Sequence, residues 1–153
     1  MDIDRRLALA GMLATPMAAR SRVLNVKSPD KPYAALALQL AAHSVERESD
    51  PRAAMLAMIE TVGVKMRSAS VFVQQYGGSP VRLVVLPEYL FSSYPWRVSI
   101  PAFAKAAAWD VGGREYEALG KIAQAQKLFL AGNAYETDTN FPGLYFQTSF
   151  VLA

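Results

Sequence analysis

The chain contains no cysteine and only one histidine, His43, among its 153 residues. Without cysteine it forms no disulfide framework and no thiolate zinc site, and it carries no cysteine nucleophile of its own. A single histidine offers no imidazole cluster for a metal, and His43 lies in a polar stretch where we expect it to be solvated. We therefore predict neither a metal site nor a cofactor.

Strong charge and long apolar runs are also missing. Charged residues make up 19% of the chain, with a balance of +3, while 52% of the residues are hydrophobic. This composition predicts one folded domain rather than a disordered chain. Lysine and arginine are spread along the sequence, and no basic run is interleaved with aromatics. The sequence therefore predicts no nucleic-acid partner.

The first 28 residues are interpreted as an export signal or a disordered N-terminus, separate from a globular domain at 29–153. Arg5 and Arg6 precede an apolar run over 7–19, which is too short to span a bilayer but has the length of a signal-peptide core. The arginine pair resembles a twin-arginine signal for export to the periplasm. Acidic residues dilute the positive charge before this run, and the motif Pro16-Met17-Ala18 is a poor cleavage site. These two features favour a cytoplasmic location.

The remaining sequence alternates strand and helix patterns. A cluster of chain breakers at 28–32 marks the boundary, and Asp50-Pro51 is a good helix start because aspartate caps and proline suits the first turn. Apolar residues then recur at steps of three and four, which predicts one buried helix stripe: Met55, Ile59, Val62, Met66, Ala69 and Val73. The predicted strands are 33–40, 81–86, 128–132 and 145–152, and the predicted helices are 52–75, 102–108 and 114–126. This order predicts an α/β fold with one sheet and with helices 52–75 and 114–126 on one of its faces.

Glu88 is the strongest candidate for chemistry. It follows the β-branched strand 81–86 through Pro87, and ligands of open α/β sheets bind beyond the carboxyl ends of the strands. Apolar neighbours lead us to expect a partly desolvated carboxylate, which suits proton transfer. Two other interpretations stay open at this point. Glu88 can simply bond to loop amides, or it can form a two-carboxylate hydrolase site with Glu136 or Asp138.

The segment from Leu83 to Pro95 resembles the catalytic-glutamate motif of the nitrilase superfamily, the carbon–nitrogen hydrolases. It has an apolar strand, Pro-Glu, and a Tyr-Pro pair whose tyrosine, Tyr94, lies six residues after Glu88. Three further stretches are similar in the same order: 38–50, 118–132 and 143–150. The resemblance covers 33–153, and the interval from Asp50 to Glu88 is longer than usual, with extra residues around 68–79.

The resemblance implies the N-terminal half of a four-layer αββα sandwich. The family cleaves amide, nitrile or carbamoyl substrates with a Glu, a Lys and a Cys, and only the glutamate, Glu88, has a match here. The chain alone is therefore predicted to be inactive. Four aromatic residues are implied to line the pocket for a small-molecule substrate: Tyr89, Phe91, Tyr94 and Trp96. The complete protein is expected to be a homo-oligomer.

The end of the chain adds one expectation. Residues 145–152 form an apolar strand with no polar tail after it, which predicts a truncated or partial domain with an uncovered sheet face. Such a chain should self-associate or bind a complementary half. The alternative to a hydrolase fragment is a non-catalytic binding or regulatory module that keeps the fold.

Overall fold

The computed structural model describes residues 32–153, which form an α/β unit with one four-stranded sheet and three helices. Residues 1–28, interpreted as an export signal or a disordered N-terminus, lie outside the described residues. No helix among residues 32–153 is long and apolar enough to cross a membrane.

The predicted strands and helices are confirmed, with small changes in their limits. The third strand continues to Glu136 instead of ending at Gly132. In chain order the elements are β1 (Ala34–Ala37), α1 (Pro51–Gly77), β2 (Val81–Val85), α2 (Ile100–Ala107), α3 (Arg114–Gln126), β3 (Phe129–Glu136) and β4 (Phe146–Leu152).

The strands lie in the order β1-β2-β3-β4. β1 pairs parallel with β2, and β2 pairs parallel with β3, while β4 returns antiparallel to β3. Two successive crossovers of the same hand that move in one direction place their helices on the same side of the sheet. α1 and α3 accordingly contact each other on one face, as predicted.

Helix α1 begins at the predicted cap. The Asp50 side chain accepts a hydrogen bond from the backbone N–H of Ala53 at 3.0 Å. The helix ends at Gly77 and is capped by Gly78, whose φ of 70° suits a residue without a side chain. The predicted stripe is buried at its first four positions, and Ala69 and Val73 are half-buried. The stripe therefore faces the sheet.

The second half of α1 extends past the sheet. The helix has 27 residues, a length of about 40 Å at 1.5 Å per residue. β2 has five residues and spans only about 17 Å at 3.3 Å per residue. Beyond Met66 no residue of α1 is buried, and Val71, Phe72 and Tyr76 are exposed. This overhang lies at the residues around 68–79, which the resemblance marks as extra.

Two glycines allow close packing. A Cβ atom on Gly132 would lie 2.8 Å from Cζ of Phe150, so the phenylalanine ring of β4 occupies the space above β3. A Cβ atom on Gly63 would lie 3.0 Å from Cδ1 of Ile122, where α1 crosses α3. Glycine has a low helix propensity. Gly63 nevertheless lies where the absence of a side chain allows the two helices to approach closely.

Two buried side chains hold the segment from the end of α2 to the first turn of α3: the indole of Trp109 and the carboxylate of Glu115. Trp109 bonds through its backbone N–H to the carbonyl of Tyr135 at 2.7 Å and packs its ring against Phe91. Glu115 is 3% exposed and lies 3.4 Å from the guanidinium groups of both Arg52 and Arg114. These contacts fix the helix layer against the end of the sheet that carries the candidate site.

Candidate functional site

Glu88 lies just beyond the carboxyl end of β2, an inner strand of the sheet. Leu86 still donates its N–H to the carbonyl of Ala131 at 2.9 Å, and the chain then leaves the sheet at Pro87. The loop after β1 runs beside the loop that carries Glu88. His43 donates its N–H to the carbonyl of Leu90 at 2.9 Å. The predicted position of Glu88 at this edge of the sheet is thus confirmed.

His43 is less solvated than expected. Its side chain is half-buried and its Nε2 atom lies 3.4 Å from a carboxylate oxygen of Glu48. The pair closes the 43–48 turn that packs beside Leu90. His43 therefore has a structural contact near the Glu88 loop but no contact with Glu88 itself.

The face of the sheet opposite α1 and α3 is apolar, and the described residues leave most of it exposed. Tyr135, at one end of this face, is buried against Phe103 of α2. Side chains alternate along each strand, so the pairing register defines rows across this open face. One row crosses all four strands: Ala37, Val85, Ala131 and Val151. Val85 is 42% exposed and Val151 67%, and Phe129 in the neighbouring row is 54% exposed.

The open face becomes polar toward the end at which Glu88 lies. Beyond the apolar rows, Asn133 pairs with Ser149 and Tyr135 pairs with Gln147. These positions belong to the same face because they alternate with the helix-facing residues of β3 and β4. Polar side chains and the candidate glutamate therefore meet at the carboxyl end of β2.

The carboxylate of Glu88 is exposed, and this corrects the expectation that it is partly desolvated. The apolar neighbours in sequence do not cover it, because Leu86 and Leu90 point into the core under the helices. Its contact within the described residues is a hydrogen bond donated by Nε2 of Gln147 to Oε1 at 2.6 Å. The carboxylate is held by a side chain of β4 rather than by loop amides.

The backbone directly after Glu88 is strained. Tyr89 has a φ of 58° and Ser93 a φ of 61°, a left-handed conformation that costs a residue with a side chain roughly 1–2 kcal/mol. Bonds from the surroundings hold the turn. The N–H of Tyr89 donates to Oδ1 of Asn133 at 3.1 Å, and the N–H of Ser93 donates to the carbonyl of Tyr89 at 2.9 Å. Strain of this kind is frequent at functional sites.

The four aromatic residues assigned to the substrate pocket are in three different environments. Phe91 is buried against Trp109 and belongs to the core. Tyr89 is half-buried, and its ring stacks on Tyr135 with centroids 5.9 Å apart. Tyr94 and Trp96 are exposed, with centroids 5.3 Å apart. Tyr89, Tyr94 and Trp96 are thus near the turn and reachable from solvent, while Phe91 supports the turn from beneath.

The hydroxyl groups of two tyrosines near this end of the sheet have raised pKa values. Burial raises the pKa of the Tyr135 hydroxyl far above its usual 10, and the neighbouring Tyr89, Tyr145 and Glu88 add to the rise. Burial likewise raises the pKa of Tyr116, with the nearby Glu136 carboxylate adding to it. Both hydroxyls stay neutral at physiological pH, so neither serves as a base.

Glu136 and Asp138 do not join Glu88. They line, together with Asp110, a surface depression to which Glu88 does not contribute. Glu136 alternates with Tyr135 along β3 and therefore points to the helix side of the sheet, whereas Gln147 and Glu88 meet on the open side. This separation speaks against a two-carboxylate site. Over residues 32–153 there is also no group of three or more His, Asp or Glu residues that could hold a metal ion.

Sequence reasoning did not single out Gln147 and Asn133. Each is a polar residue within a mainly apolar strand, at a position that alternates with core residues. That pattern could have placed them on the open face, but not beside Glu88, because the register of β4 against β3 is a tertiary feature.

Comparison with models of known protein families finds no match to this chain. Comparison with curated proteins likewise finds no match.

Proposed function

We propose that the chain supplies the glutamate-bearing part of a carbon–nitrogen hydrolase that acts on a small amide, nitrile or carbamoyl substrate. The observation that carries the proposal is the placement of Glu88. An accessible carboxylate, held by Gln147 at the carboxyl end of an inner parallel strand, sits at the edge of an apolar sheet face. The resemblance of the 83–95 segment to the nitrilase superfamily supports the same assignment.

The open face supports the second part of the proposal. In a four-layer αββα sandwich, two sheets pack face to face at a distance of about 10 Å. The rows that contain Val85, Phe129 and Val151 have the apolar character such packing requires. We propose that this face receives the second sheet of the same sandwich. That sheet would then lie beside the end at which Glu88 is held.

The chemistry requires a cysteine, which this chain lacks, and a lysine that matches none of the lysines present. In the proposed reaction on an amide, Glu88 takes the proton of a cysteine thiol, and the sulfur forms a bond to the carbonyl carbon. Glu88 then gives that proton to the nitrogen as the C–N bond breaks, and the amine or ammonia leaves. Water next loses a proton to Glu88 and attacks the thioester, which releases the acid and the thiolate. A lysine stabilises the negative charge on oxygen during both steps.

Since the chain has no cysteine, the nucleophile must come from polypeptide outside these 153 residues. The first experiment is to determine whether the coding sequence continues past Ala153 with a lysine and a cysteine. The longer protein would then be assayed for ammonia release from a panel of amides and nitriles, and its oligomeric state measured, with a homo-oligomer expected.

Glu88→Gln tests the assignment in that protein. It removes the proton acceptor and should lower kcat by about 100-fold or more. Glu136→Gln is the matched control, because that carboxylate lies on the other side of the sheet, and it should leave kcat nearly unchanged. Retention of full activity in Glu88→Gln would refute the proposal. A coding sequence without the two residues would favour the non-catalytic module.

A further inference from the structure

Two strand residues point to the same place as Glu88. Asn133 of β3 and Gln147 of β4 lie on the open face of the sheet, near the carboxyl end of β2, which Glu88 follows. We propose that both are positioning residues for Glu88: Asn133 holds the strained turn, and Gln147 holds the carboxylate. Their catalytic importance rests on the proposed function, whereas their contacts with the turn do not.

Asn133 stabilises the conformation of Tyr89. Its Oδ1 accepts the N–H of Tyr89 at 3.1 Å, and Tyr89 adopts a φ of 58° that a large side chain disfavours. The carbonyl of Tyr89 then accepts the N–H of Ser93, which closes the turn. Without an acceptor at 133, the strained residue loses a bond that compensates its conformation. Because Glu88 is the preceding residue, a relaxed turn would displace it.

Gln147 determines which oxygen of Glu88 is available. Its Nε2 donates to Oε1 of Glu88 at 2.6 Å, and its own Oε1 lies 3.5 Å from the Tyr89 hydroxyl. A hydroxyl donor on the oxygen side fixes the orientation of the amide, so the NH₂ group faces the carboxylate. Among the described residues Gln147 is the side chain that donates to Glu88, so Oε2 is left to exchange a proton with a reacting group.

The pair contributes little to folding, and this separates a positioning role from a structural one. Glu88 and Gln147 are both exposed, and an exposed polar contact adds little net stability because water replaces it. Loss of the Gln147 amide should therefore move the carboxylate without lowering the melting temperature. A residue retained for stability would behave in the opposite way.

Hydrogen exchange of the intact chain tests the role of Asn133. In Asn133→Leu, which has no acceptor, the backbone N–H groups of Tyr89 and Ser93 should exchange about fivefold faster, as expected from the loss of one hydrogen bond. Asn133→Asp keeps the acceptor oxygen and should restore slow exchange. Unchanged exchange in α1 shows that each variant is folded. If Asn133→Leu leaves the turn as protected as the wild type while α1 is intact, the role of Asn133 is refuted.

The amide of Gln147 reports directly on the carboxylate. The resonances of its side-chain NH₂ group should move in Glu88→Gln, because the carboxylate that accepts from this group is replaced by an amide. Gln147→Leu should keep the wild-type melting temperature. Side-chain NH₂ resonances at the same positions in the wild type and in Glu88→Gln would overturn the role of Gln147. None of these measurements requires turnover, so a failed hydrolase assay would refute the proposed function and not the positioning.

Discussion

A lysine placed on the open sheet face should prevent self-association of this chain. We choose Val151→Lys because Val151 is 67% exposed and lies in the row that crosses all four strands. The matched control is Val64→Lys. Val64 is 62% exposed but belongs to α1, on the other side of the sheet. Both changes replace an exposed valine by the same charged residue, and neither removes a buried contact.

The expected effect follows from the exposed area. Full burial of one large apolar side chain stabilises by roughly 1.5–3 kcal/mol. The exposed fractions of Val85, Phe129 and Val151 together equal about one and a half such side chains, or about 2–5 kcal/mol per chain. A face-to-face pair doubles this gain, which is comparable to the cost of association of about 4–15 kcal/mol. At the favourable ends of both ranges the net gain is about 6 kcal/mol, so association should be detectable at concentrations from tens of micromolar to millimolar.

The exposed part of Val151 equals about two thirds of one large apolar side chain. Its loss from both chains of a pair therefore lowers the free energy of association by about 2–4 kcal/mol. That range corresponds to a weakening of about 30-fold or more, before the repulsion of two buried lysines is counted. Sedimentation or light scattering across a concentration series measures this directly, and a thermal melt shows whether each variant is folded. A wild-type chain that stays monomeric with a sharp melt would refute the reasoning. The reasoning would also be refuted if Val64→Lys weakened association as much as Val151→Lys does.

Three further predictions concern stability. Gly132→Ala should destabilise by about 1–3 kcal/mol in a denaturant titration, because the added Cβ meets the Phe150 ring; an unchanged midpoint would show that the ring moves aside freely. Ile59→Ala should cost about 2–5 kcal/mol in the same titration, since Ile59 is 1% exposed, and a cost below 1 kcal/mol would place the stripe outside the core. The raised pKa values of Tyr116 and Tyr135 mean that the unfolded chain loses these protons first as the pH rises past 10. Stability should therefore fall above pH 10, by about 1.4 kcal/mol per pH unit for each tyrosine. Thermal melts from pH 9 to pH 12 on the wild type and on the two Tyr→Phe variants measure this: each variant should lose about half of the slope, and an undiminished slope in both variants would contradict the prediction.

Local patterns were sufficient for the helices and strands. The steps of three and four from Met55 onward predicted a buried stripe because one helix face repeats every 3.6 residues, and Asp50-Pro51 marked the helix start because its side chain can satisfy a free N–H. Such signals lie within a few residues of the structure that they specify. The end of β3 was missed because Asn133 and Glu136 have low strand propensity, and pairing with β4 overrides that preference.

The sequence by itself also determined that Glu88 follows a β-branched strand, and that no cysteine chemistry can take place within the chain. Only the tertiary structure decided what surrounds the carboxylate. Its exposure, its bond to Gln147 and the support of the strained turn by Asn133 depend on β3 and β4, which lie 44 residues or more along the chain from the groups they contact. The register between strands sets these contacts, and a shift of one residue would turn both side chains to the opposite face. No pattern local to residues 83–95 contains that information.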